Sequence, residues 1–250
     1  MTDRAAAADT ASSKARTELR TDGERPDLTV LKPAQRVPGD RARRALNVLA
    51  AAALLVFAAP IIIIIAILIK LTSRGPILYR QTRIGLDQRN TGTRSNDPRR
   101  RLDQGGLPFT IYKFRTMWVD AEQVTGAVWA SKDDPRVTPI GRILRQYRLD
   151  ELAQLFNVLA GDMNLVGPRP ERPPIVARLR REIPQYQQRH RTLPGITGRA
   201  QITLEYDTSL EDVRLKVEHD LEYIRCASVW EDFKIMGKTI PVMLFRRGAR

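Results

Sequence analysis

One uninterrupted apolar segment dominates the pattern of hydrophobic and polar positions along the chain. From Ala45 to Ile69 the only strongly polar residue is Asn47. A helix of about 25 residues is roughly 37 Å long, which is enough to cross the ~30 Å hydrocarbon core of a bilayer. The segment is too long and starts too far from the N-terminus for a signal peptide. The pattern therefore predicts a membrane helix.

Two features of this segment favour a re-entrant helix over a spanning one. Pro60 lies mid-segment and lacks the N–H that would bond to the carbonyl of Val56, so the helix should kink or break there. Cationic residues flank both ends: Arg41, Arg43 and Arg44 before it, and Lys70, Arg74, Arg80 and Arg83 after it. Because Lys and Arg beside a membrane segment favour the cytoplasmic side, both ends are expected there. We predict a re-entrant helix over residues 41–70, with a spanning helix and a buried soluble helix as alternatives.

After this segment the pattern changes to shorter elements. "ILY" after Gly75-Pro76 and "PFTIYKFRTM" predict two strands, the second with apolar side chains directed toward a core. "TPIGRILRQYRLDELAQLFNVLAG" predicts two helices, and Gly161 should end the second. The predicted buried positions are Phe109, Ile111 and Phe114 in the strand, Ile140, Ile143, Leu144 and Tyr147 in the first helix, and Leu152, Leu155, Phe156 and Leu159 in the second.

Three more helices are predicted toward the C-terminus. A charged, exposed helix is expected from about Pro174 to Arg191, and "SLEDVRLKVEHDLEYI" predicts an amphipathic helix that begins with Ser209 and Asp212 as a capping box. The last segment, "VWEDFKIMGKTIPVMLFRRGAR", suits either a membrane interface or the core. The predicted fold class is α+β and mostly helical: a monotopic membrane protein with a proline-broken re-entrant helix, a small sheet and amphipathic interfacial helices.

The chain is predicted to have three parts. Residues 1–40 are rich in Ala, Arg, Asp, Thr and Pro without apolar periodicity, which is typical of a disordered tail. Residues 41–70 form the membrane helix, and residues 71–250 form a folded domain on the cytoplasmic face. Within that domain, residues 86–106 are predicted to be a long loop rich in Arg and Gly.

Charge and composition narrow the classes of partner and site. The chain of 250 residues has a formal net charge of +14, which suits nucleic acid, an anionic lipid surface or a phosphorylated substrate. Cys226 is the only cysteine, so an intramolecular disulfide and a cysteine zinc cluster are excluded. With only His190 and His219, a His-rich metal site is not expected either. A carboxylate site for a hard cation stays open.

The candidate chemistry centres on two adjacent carboxylates. Asp150 and Glu151 stand at the head of the second predicted helix. Acidic residues are common in first turns because the helix dipole is positive there, so helix capping is one interpretation. Adjacent carboxylates can also divide two tasks, so that one attacks phosphorus while the other binds a divalent ion.

Nearby basic residues favour a role with phosphate. Lys113, Arg115, Arg145 and Arg148 are cations that lower a carboxylate pKa and bind phosphate oxygens. "GPRPE" predicts a rigid turn that holds Arg169 in one pose, because prolines stand on both sides of it. The sequence therefore indicates an acidic pair among cations, which suits a phosphorylated ligand.

Four motifs extend this interpretation to a family. "YKFRTM", "DDPRVTPIGRILRQYRLDEL", "QLFNVLAGDMNLVGPRPE" and "PGITGRAQI" resemble the ordered motifs of the bacterial sugar transferases, the monotopic phosphoglycosyl transferases. The resemblance covers about residues 41–245. It implies ping-pong transfer of a phospho-sugar from a UDP-sugar to polyprenol (undecaprenyl) phosphate, with release of UMP. It also implies a re-entrant helix at the cytoplasmic face of the bacterial inner membrane, and a role in the first membrane step of glycoconjugate synthesis.

The resemblance also implies roles for particular residues. Asp150 is expected to form an aspartyl phospho-sugar, and Glu151 is expected to help bind Mg²⁺. The other matches are Lys113, Arg115 and Arg145 near the phosphates, and Pro168, Arg169 and Pro170 in the turn that meets the nucleotide. The expected partners are a UDP-sugar, polyprenol phosphate and the anionic headgroups of the bilayer. Nucleic acid is not expected, and an oligomer is left open.

The sequence departs from the family pattern in three places. Ala59 precedes Pro60 where Ser is usual, Ala153 stands where relatives often have Pro, and the loop over residues 86–106 is longer than usual. No hydrophobic segment precedes Arg41, so a minimal form of the family is expected. Two other hypotheses stay open from sequence: a membrane-anchored nucleic-acid binder, and an inactive scaffold of the same fold.

Overall fold

Helices account for most of the described chain. The computed structural model describes residues 40–87, 104–119, 121, 134–204 and 209–244, so the predicted tail and most of the predicted long loop lie outside the described residues. The α-helices are α1 (Asp40–Thr72), α2 (Pro139–Gln146), α3 (Leu155–Ala160), α4 (Pro173–Glu182), α5 (Arg199–Thr203), α6 (Leu210–Cys226) and α7 (Val229–Leu244). Two 3-10 helices span Leu149–Gln154 and Tyr186–Arg191.

Two small sheets complete the architecture of the described residues. Strands β1 (Leu78–Ile84) and β2 (Pro108–Phe114) pair in antiparallel fashion along their whole length. Strands β3 (Asn164–Val166) and β4 (Gly195–Thr197) form a short parallel pair. The mostly helical α+β prediction is therefore confirmed.

α1 is the long apolar helix that the hydrophobic segment predicts. Among the described residues it is the one helix that is long and apolar enough to cross a bilayer, by length and composition. Much of its surface is exposed and apolar: Val56, Phe57 and Leu71 are 73%, 83% and 78% exposed. Such a surface suits contact with lipid. The helix continues through Pro60, so the predicted break is not found, and the return to the same membrane face stays a prediction.

The N-terminal end of α1 is tied into the folded domain by polar contacts. Arg43 Nε donates to Asp232 Oδ2 at 2.7 Å, and both residues are buried. Arg44 Nη1 donates to the carbonyl of Met163 at 2.8 Å. The polar residue Asn47 has a structural role in the apolar segment, because its Oδ1 accepts from the backbone N–H of Leu165 at 2.7 Å. Two of the predicted membrane-flanking cations are thus used inside the protein.

Both halves of α1 also contribute apolar side chains to the core. Ala51 packs in a cluster with Phe109 and Ile111 of β2 and with the buried face of α3. Ile65 and Ile69 pack in a second cluster, which contains Phe114, Leu144 and Ala153. Because each half of α1 contributes side chains to one of the two core clusters, α1 is a structural part of the domain.

The two helices predicted between Thr138 and Gly161 are replaced by three shorter elements. Thr138 caps α2 by accepting from the N–H of Gly141 at 3.0 Å, and Gly161 ends α3 with a φ of 98°, as predicted. Between them, the 3-10 helix has three residues per turn instead of the 3.6 of an α-helix. The side chains that follow it are therefore rotated relative to those of a continuous α-helix. The predicted buried stripes are therefore wrong at Phe156 and Leu159, which follow the 3-10 helix and are exposed. Ile143 in α2 is exposed as well.

The exposed helix predicted from Pro174 to Arg191 is also wrong in part. α4 ends at Glu182, and Ile183 is extended because the residue before a proline, here Pro184, disfavours helix. The following 3-10 helix buries three of its polar or aromatic side chains, Tyr186, Arg189 and His190. By contrast, the predicted capping box of Ser209 and Asp212 is confirmed at the start of α6.

Asn157 joins β2 to α3 through its side-chain amide. It is fully buried, its Oδ1 accepts from the N–H of Tyr112 at 3.0 Å, and its Nδ2 donates to the carbonyl of Thr110 at 2.7 Å. The amide thus pairs with β2 as a neighbouring strand would. This contact sets the position of β2 relative to the helical segment that contains Asp150 and Glu151.

We expect Asn157→Ala to destabilise the domain by about 2 kcal/mol, because it leaves a backbone N–H and a carbonyl without their partner. For a domain of this size the midpoint of thermal unfolding should fall by roughly 4–8 °C. The measurement is thermal unfolding of the detergent-solubilised protein at a fixed scan rate. Glu218→Ala, at an exposed position on α6, is the control. Equal midpoints for Asn157→Ala and wild type would contradict the role of the amide.

Candidate active site

Asp150 and Glu151 are both buried in the first turn of the 3-10 helix Leu149–Gln154. The residue that precedes this helix, Arg148, has φ 54° and ψ 22°, which is the left-handed region that L side chains rarely adopt. Glu151 N–H donates to the carbonyl of Arg148 at 3.1 Å and so fixes the turn. The acidic pair is therefore presented by a tight turn rather than by the start of a regular α-helix.

Two cations from separate elements converge on Glu151. Lys113 Nζ, near the end of β2, lies 2.9 Å from Glu151 Oε1, and Arg169 Nη2 lies 2.7 Å from the same oxygen. Lys113 Nζ is also 3.7 Å from Asp150 Oδ2. The structure thus brings together four of the predicted site residues, which come from three separate segments of the chain.

The two carboxylates have opposite protonation tendencies. Burial raises the pKa of Asp150 despite the opposing charge of Lys113, and the neighbouring anion of Glu151 raises it further. Burial alone would also raise the pKa of Glu151, but Arg169 and Lys113 outweigh it and lower that pKa below its usual range. Glu151 is therefore a fixed anion, and Asp150 is more basic than an ordinary aspartate.

Arg145 is held at this site by a residue that sequence reasoning did not single out. Arg145 Nε donates to Thr116 Oγ1 at 3.0 Å, and the charge of Arg145 favours the ionised form of Asp150. α2 packs closely against Thr116, since a Cβ on Gly141 would lie 2.0 Å from the Thr116 carbonyl oxygen. The only sequence signal for Thr116 is its place in "YKFRTM", next to Arg115.

Arg115 lies apart from the acidic pair. Its Nη2 donates to the carbonyl and the Oγ of Ser73, both at 2.8 Å, and the residue is buried at the C-terminal end of α1. Within the described residues no contact joins Arg115 to either carboxylate. Its predicted contact with phosphate stays a prediction, and its observed contacts anchor the membrane helix.

The turn that carries Arg169 is held by the "PGITG" segment. Pro168 and Pro170 are buried, and the N–H of Gly195 donates to the carbonyl of Pro168 at 3.0 Å. A Cβ on Gly195 would lie 2.0 Å from Gly167 N, so only glycine fits at this crossing. The function of "PGITG" that sequence left open therefore includes support of the Pro168–Pro170 turn.

The acidic pair provides few ligands for a metal. In the part of the chain that the structure describes, no group of three or more His, Cys, Asp or Glu side chains could hold a metal ion. Glu151 Oε2 accepts no hydrogen bond from the other described residues, whereas Oε1 accepts two. Mg²⁺ commonly binds through one or two carboxylates together with substrate phosphates and water. Asp150 and Glu151 fit an ion that binds together with a diphosphate.

The described domain thus combines a buried acidic pair among cations with a long apolar helix. Residues 39–93 and 97–246 match the model of the bacterial sugar transferases, and the chain belongs to this family. The sequence resemblance is thereby confirmed, and it covers most of the described domain.

Several relatives have names that give an activity. The chain is 42% identical over 208 residues to a UDP-N-acetylgalactosamine-undecaprenyl-phosphate N-acetylgalactosaminephosphotransferase of Aeromonas hydrophila, covering 83% of this chain and 45% of the relative. It is 41% identical over 212 residues to an undecaprenyl-phosphate glucose phosphotransferase of Komagataeibacter xylinus, covering 83% and 36%. It is 42% identical over 214 residues to a UDP-glucose:undecaprenyl-phosphate glucose-1-phosphate transferase of Caulobacter vibrioides, covering 85% and 73%. The match thus spans less than half of the first two relatives, and relatives at equal identity are named for different sugars.

We expect Arg148→Gly to be more stable than Arg148→Ala by about 1 kcal/mol, because both variants lose the guanidinium but only Ala keeps a Cβ in the left-handed region. The measurement is the difference between their midpoints of chemical or thermal unfolding. The same Gly and Ala substitutions at Arg214, on the exposed face of α6, should rank in the opposite order, because Gly weakens a helix interior. If Ala were the more stable variant at position 148 as well, the left-handed turn would be refuted.

Proposed function

We propose that this chain is a phosphoglycosyl transferase that moves a phospho-sugar from a UDP-sugar to polyprenol (undecaprenyl) phosphate. The products are polyprenyl-diphosphate-sugar and UMP, and the reaction is the first membrane step in the synthesis of a glycoconjugate such as an exopolysaccharide, O-antigen, capsule or glycoprotein glycan. The observation that carries the proposal is the buried Asp150–Glu151 pair held by Lys113 and Arg169. The names of the relatives support the substrates.

The first step is attack by a carboxylate oxygen of Asp150 on the phosphorus that bears the sugar. A bond forms between Asp150 and phosphorus, and the bond from that phosphorus to the bridging oxygen breaks, so that UMP leaves with the electron pair. The raised pKa of Asp150 supports this role, because a more basic carboxylate is a stronger nucleophile once it is ionised. The step needs no proton.

The second step returns the enzyme to its starting state. An oxygen of the polyprenol phosphate forms a bond to the same phosphorus, the bond to Asp150 breaks, and the carboxylate is released. Both steps pass through a phosphorus centre whose oxygens carry the developing charge. Lys113, Arg145 and Arg169 are the cations that face this charge, and their fixed positions mean that no reorganisation is needed during the reaction.

Glu151 is the residue that would help to hold Mg²⁺, beside the nucleophile Asp150. When bound, this ion supplies charge neutralisation of the diphosphate. The lowered pKa of Glu151 supports such a role, since this carboxylate stays ionised and one of its oxygens accepts no bond from the described residues. Lys113 and Arg169 meanwhile hold the other oxygen and keep the side chain in one orientation.

The membrane placement that we propose is re-entrant, with the domain on the cytoplasmic face of the inner membrane and anionic headgroups around it. The support comes from both ends of α1. Arg43 at one end contacts Asp232, and Ser73 just beyond the other end contacts Arg115, so both ends meet the same folded domain. A polar domain does not pass through a bilayer, so contacts of both ends with one domain favour placement of both ends on the same side. No observation favours the nucleic-acid-binding or scaffold alternatives.

We expect Asp150→Asn to reduce UMP release by at least about 1,000-fold, because an amide oxygen cannot form the aspartyl phospho-sugar. The assay combines a panel of UDP-sugars with polyprenol phosphate and Mg²⁺, and peptide mass spectrometry should find the phospho-sugar adduct on Asp150 of the wild type. Glu218→Gln on the exposed face of α6 is the control and should keep full activity. Wild-type inactivity with every UDP-sugar would refute the enzyme, and an active Asp150→Asn would refute the nucleophile.

We expect cysteines at Arg41 and Arg74, both exposed beyond the apolar part of α1, to be labelled from the same side of the membrane. The background is Cys226→Ser, which removes the one native thiol. A single cysteine at Glu218 reports the side on which the folded domain lies. In intact cells, a membrane-impermeant maleimide should label all three positions to the same extent. The three positions should also agree with one another in inverted vesicles. Labelling of the Arg41→Cys and Arg74→Cys variants from opposite sides would establish a spanning helix instead.

A further inference from the structure

The turn that carries Arg169 depends on donors from outside itself. Prolines at 168 and 170 have no N–H, so these two residues supply no backbone donor to the turn. Its successive carbonyls instead accept from other parts of the fold: Pro168 from Gly195 N at 3.0 Å, Arg169 from Arg189 Nη2 at 3.0 Å, Pro170 from Arg83 Nη1 at 3.1 Å, and Glu171 from Ile84 N at 3.0 Å. The carbonyl of the arginine itself is thus held by a second arginine.

Arg189 is fixed more firmly than the other side-chain donor. Its side chain is 2% exposed, and its Nε and Nη2 donate to Asp220 Oδ2 at 3.0 and 2.6 Å. Its Nη1 donates to the hydroxyl of Tyr186 at 2.9 Å, and the guanidinium lies 5.1 Å from the centre of that ring. Arg83, by comparison, is more exposed and lies 3.5 Å from its partner Glu171. Only one side chain therefore offers the turn a fully buried, multiply bonded donor.

The contacts form a continuous path from α6 to the acidic pair. Asp220, in the middle of α6, holds Arg189, and Arg189 holds the backbone of Arg169. The side chain of Arg169 then reaches Glu151 Oε1 at 2.7 Å. A shift of the Arg169 backbone moves this guanidinium relative to Glu151, and loss of placement by about 1 Å is enough to slow an enzyme strongly.

We propose that Arg189, oriented by Asp220, is a positioning residue that holds the Arg169 backbone so that the Arg169 guanidinium stays directed at Glu151 and at the diphosphate of the donor. The proposal rests on the proposed function for its effect on turnover, and on geometry alone for its effect on the turn. Arg189 does not touch the reacting atoms, because it lies behind the turn and is buried. Its influence passes through Arg169.

The planar guanidinium explains why this position suits Arg. The Nη2 group uses one hydrogen for Asp220 and one for the Arg169 carbonyl, and the rigid plane fixes the angle between the two. Lys at this position would keep the charge opposite Asp220 but would lose the fork that joins the two partners. Removing the charge of Arg189 or of Asp220 alone would leave the other charge buried and unpaired. That change destabilises the fold for reasons unrelated to the turn.

The test therefore removes both charges together. Arg189→Met combined with Asp220→Leu deletes the fork and leaves no unpaired charge, and Arg189→Lys is a second, milder variant. The matched control is Arg178→Met combined with Glu182→Leu, which removes an exposed ion pair on α4. We expect kcat/KM for UMP release to fall roughly 10- to 100-fold in the Met/Leu variant and by a smaller factor in Arg189→Lys, with the control unchanged.

A comparison in the Arg169→Ala background separates positioning from a general structural role. If Arg189 acts through Arg169, the Met/Leu change should lower kcat/KM by no more than about 2-fold once Arg169 is Ala, because nothing is left to position. A full 10- to 100-fold fall in that background would mean additive effects and would overturn the proposal. If the Met/Leu protein does not fold, the same comparison is made with Arg189→Lys.

Hydrogen exchange supplies a readout that does not depend on activity. In the Met/Leu variant, or in Arg189→Lys, peptides that cover residues 164–172 should exchange faster than in wild type, while peptides of α2 and α3 keep their protection. Unchanged exchange over residues 164–172 would overturn the proposal even if the enzyme were active. Wild-type inactivity with faster exchange in the variant would instead refute the proposed function and leave the positioning contact supported.

Discussion

Glu151 Oε1 accepts from Lys113 and from Arg169, and the rest of the site depends on this double contact. Two adjacent buried carboxylates repel each other and lose hydration, so such a pair persists only where cations are fixed around it. Lys113 comes from β2, Arg169 from the turn after β3, and the carboxylates from a 3-10 helix. Three segments that are separated in sequence must therefore hold their relative positions for the charges to stay balanced. The structure does so with Asn157 between β2 and α3, and with glycine contacts behind the Arg169 turn.

The membrane helix belongs to the same arrangement. Asn47 of α1 accepts from Leu165 in β3, two residues before the turn of Arg169 begins. At the other end, the C-terminal carbonyl region of α1 meets Arg115, which directly follows Phe114 at the end of β2. The apolar helix therefore touches both segments that supply the cations of the site. The packing of the apolar helix and the placement of these charged side chains therefore depend on connected contacts.

Much of this could be predicted from sequence, and the features that could not be predicted have physical causes. A long apolar run, alternating Phe109 and Ile111, and the capping pair Ser209 and Asp212 are local signals with few competing structures, and each is confirmed. Arg115 lies two residues after Lys113, so an extended strand would direct both side chains to the same face. β2 ends at Phe114, however, and the alternation ends with it. The burial of Arg189 was equally invisible, because its partner Asp220 lies on another helix and no local pattern connects the two.

The ion pair between Arg43 and Asp232 joins residues that are 189 positions apart. At about 5–20 residues per second, a ribosome needs on the order of 10–40 s to add the second partner after the first. Throughout that interval the ion pair between Arg43 and Asp232 cannot form, although the apolar segment is complete soon after Arg43 has been added. The N-terminal end of α1 is therefore joined to the folded domain through this ion pair only after nearly the whole chain has been synthesised.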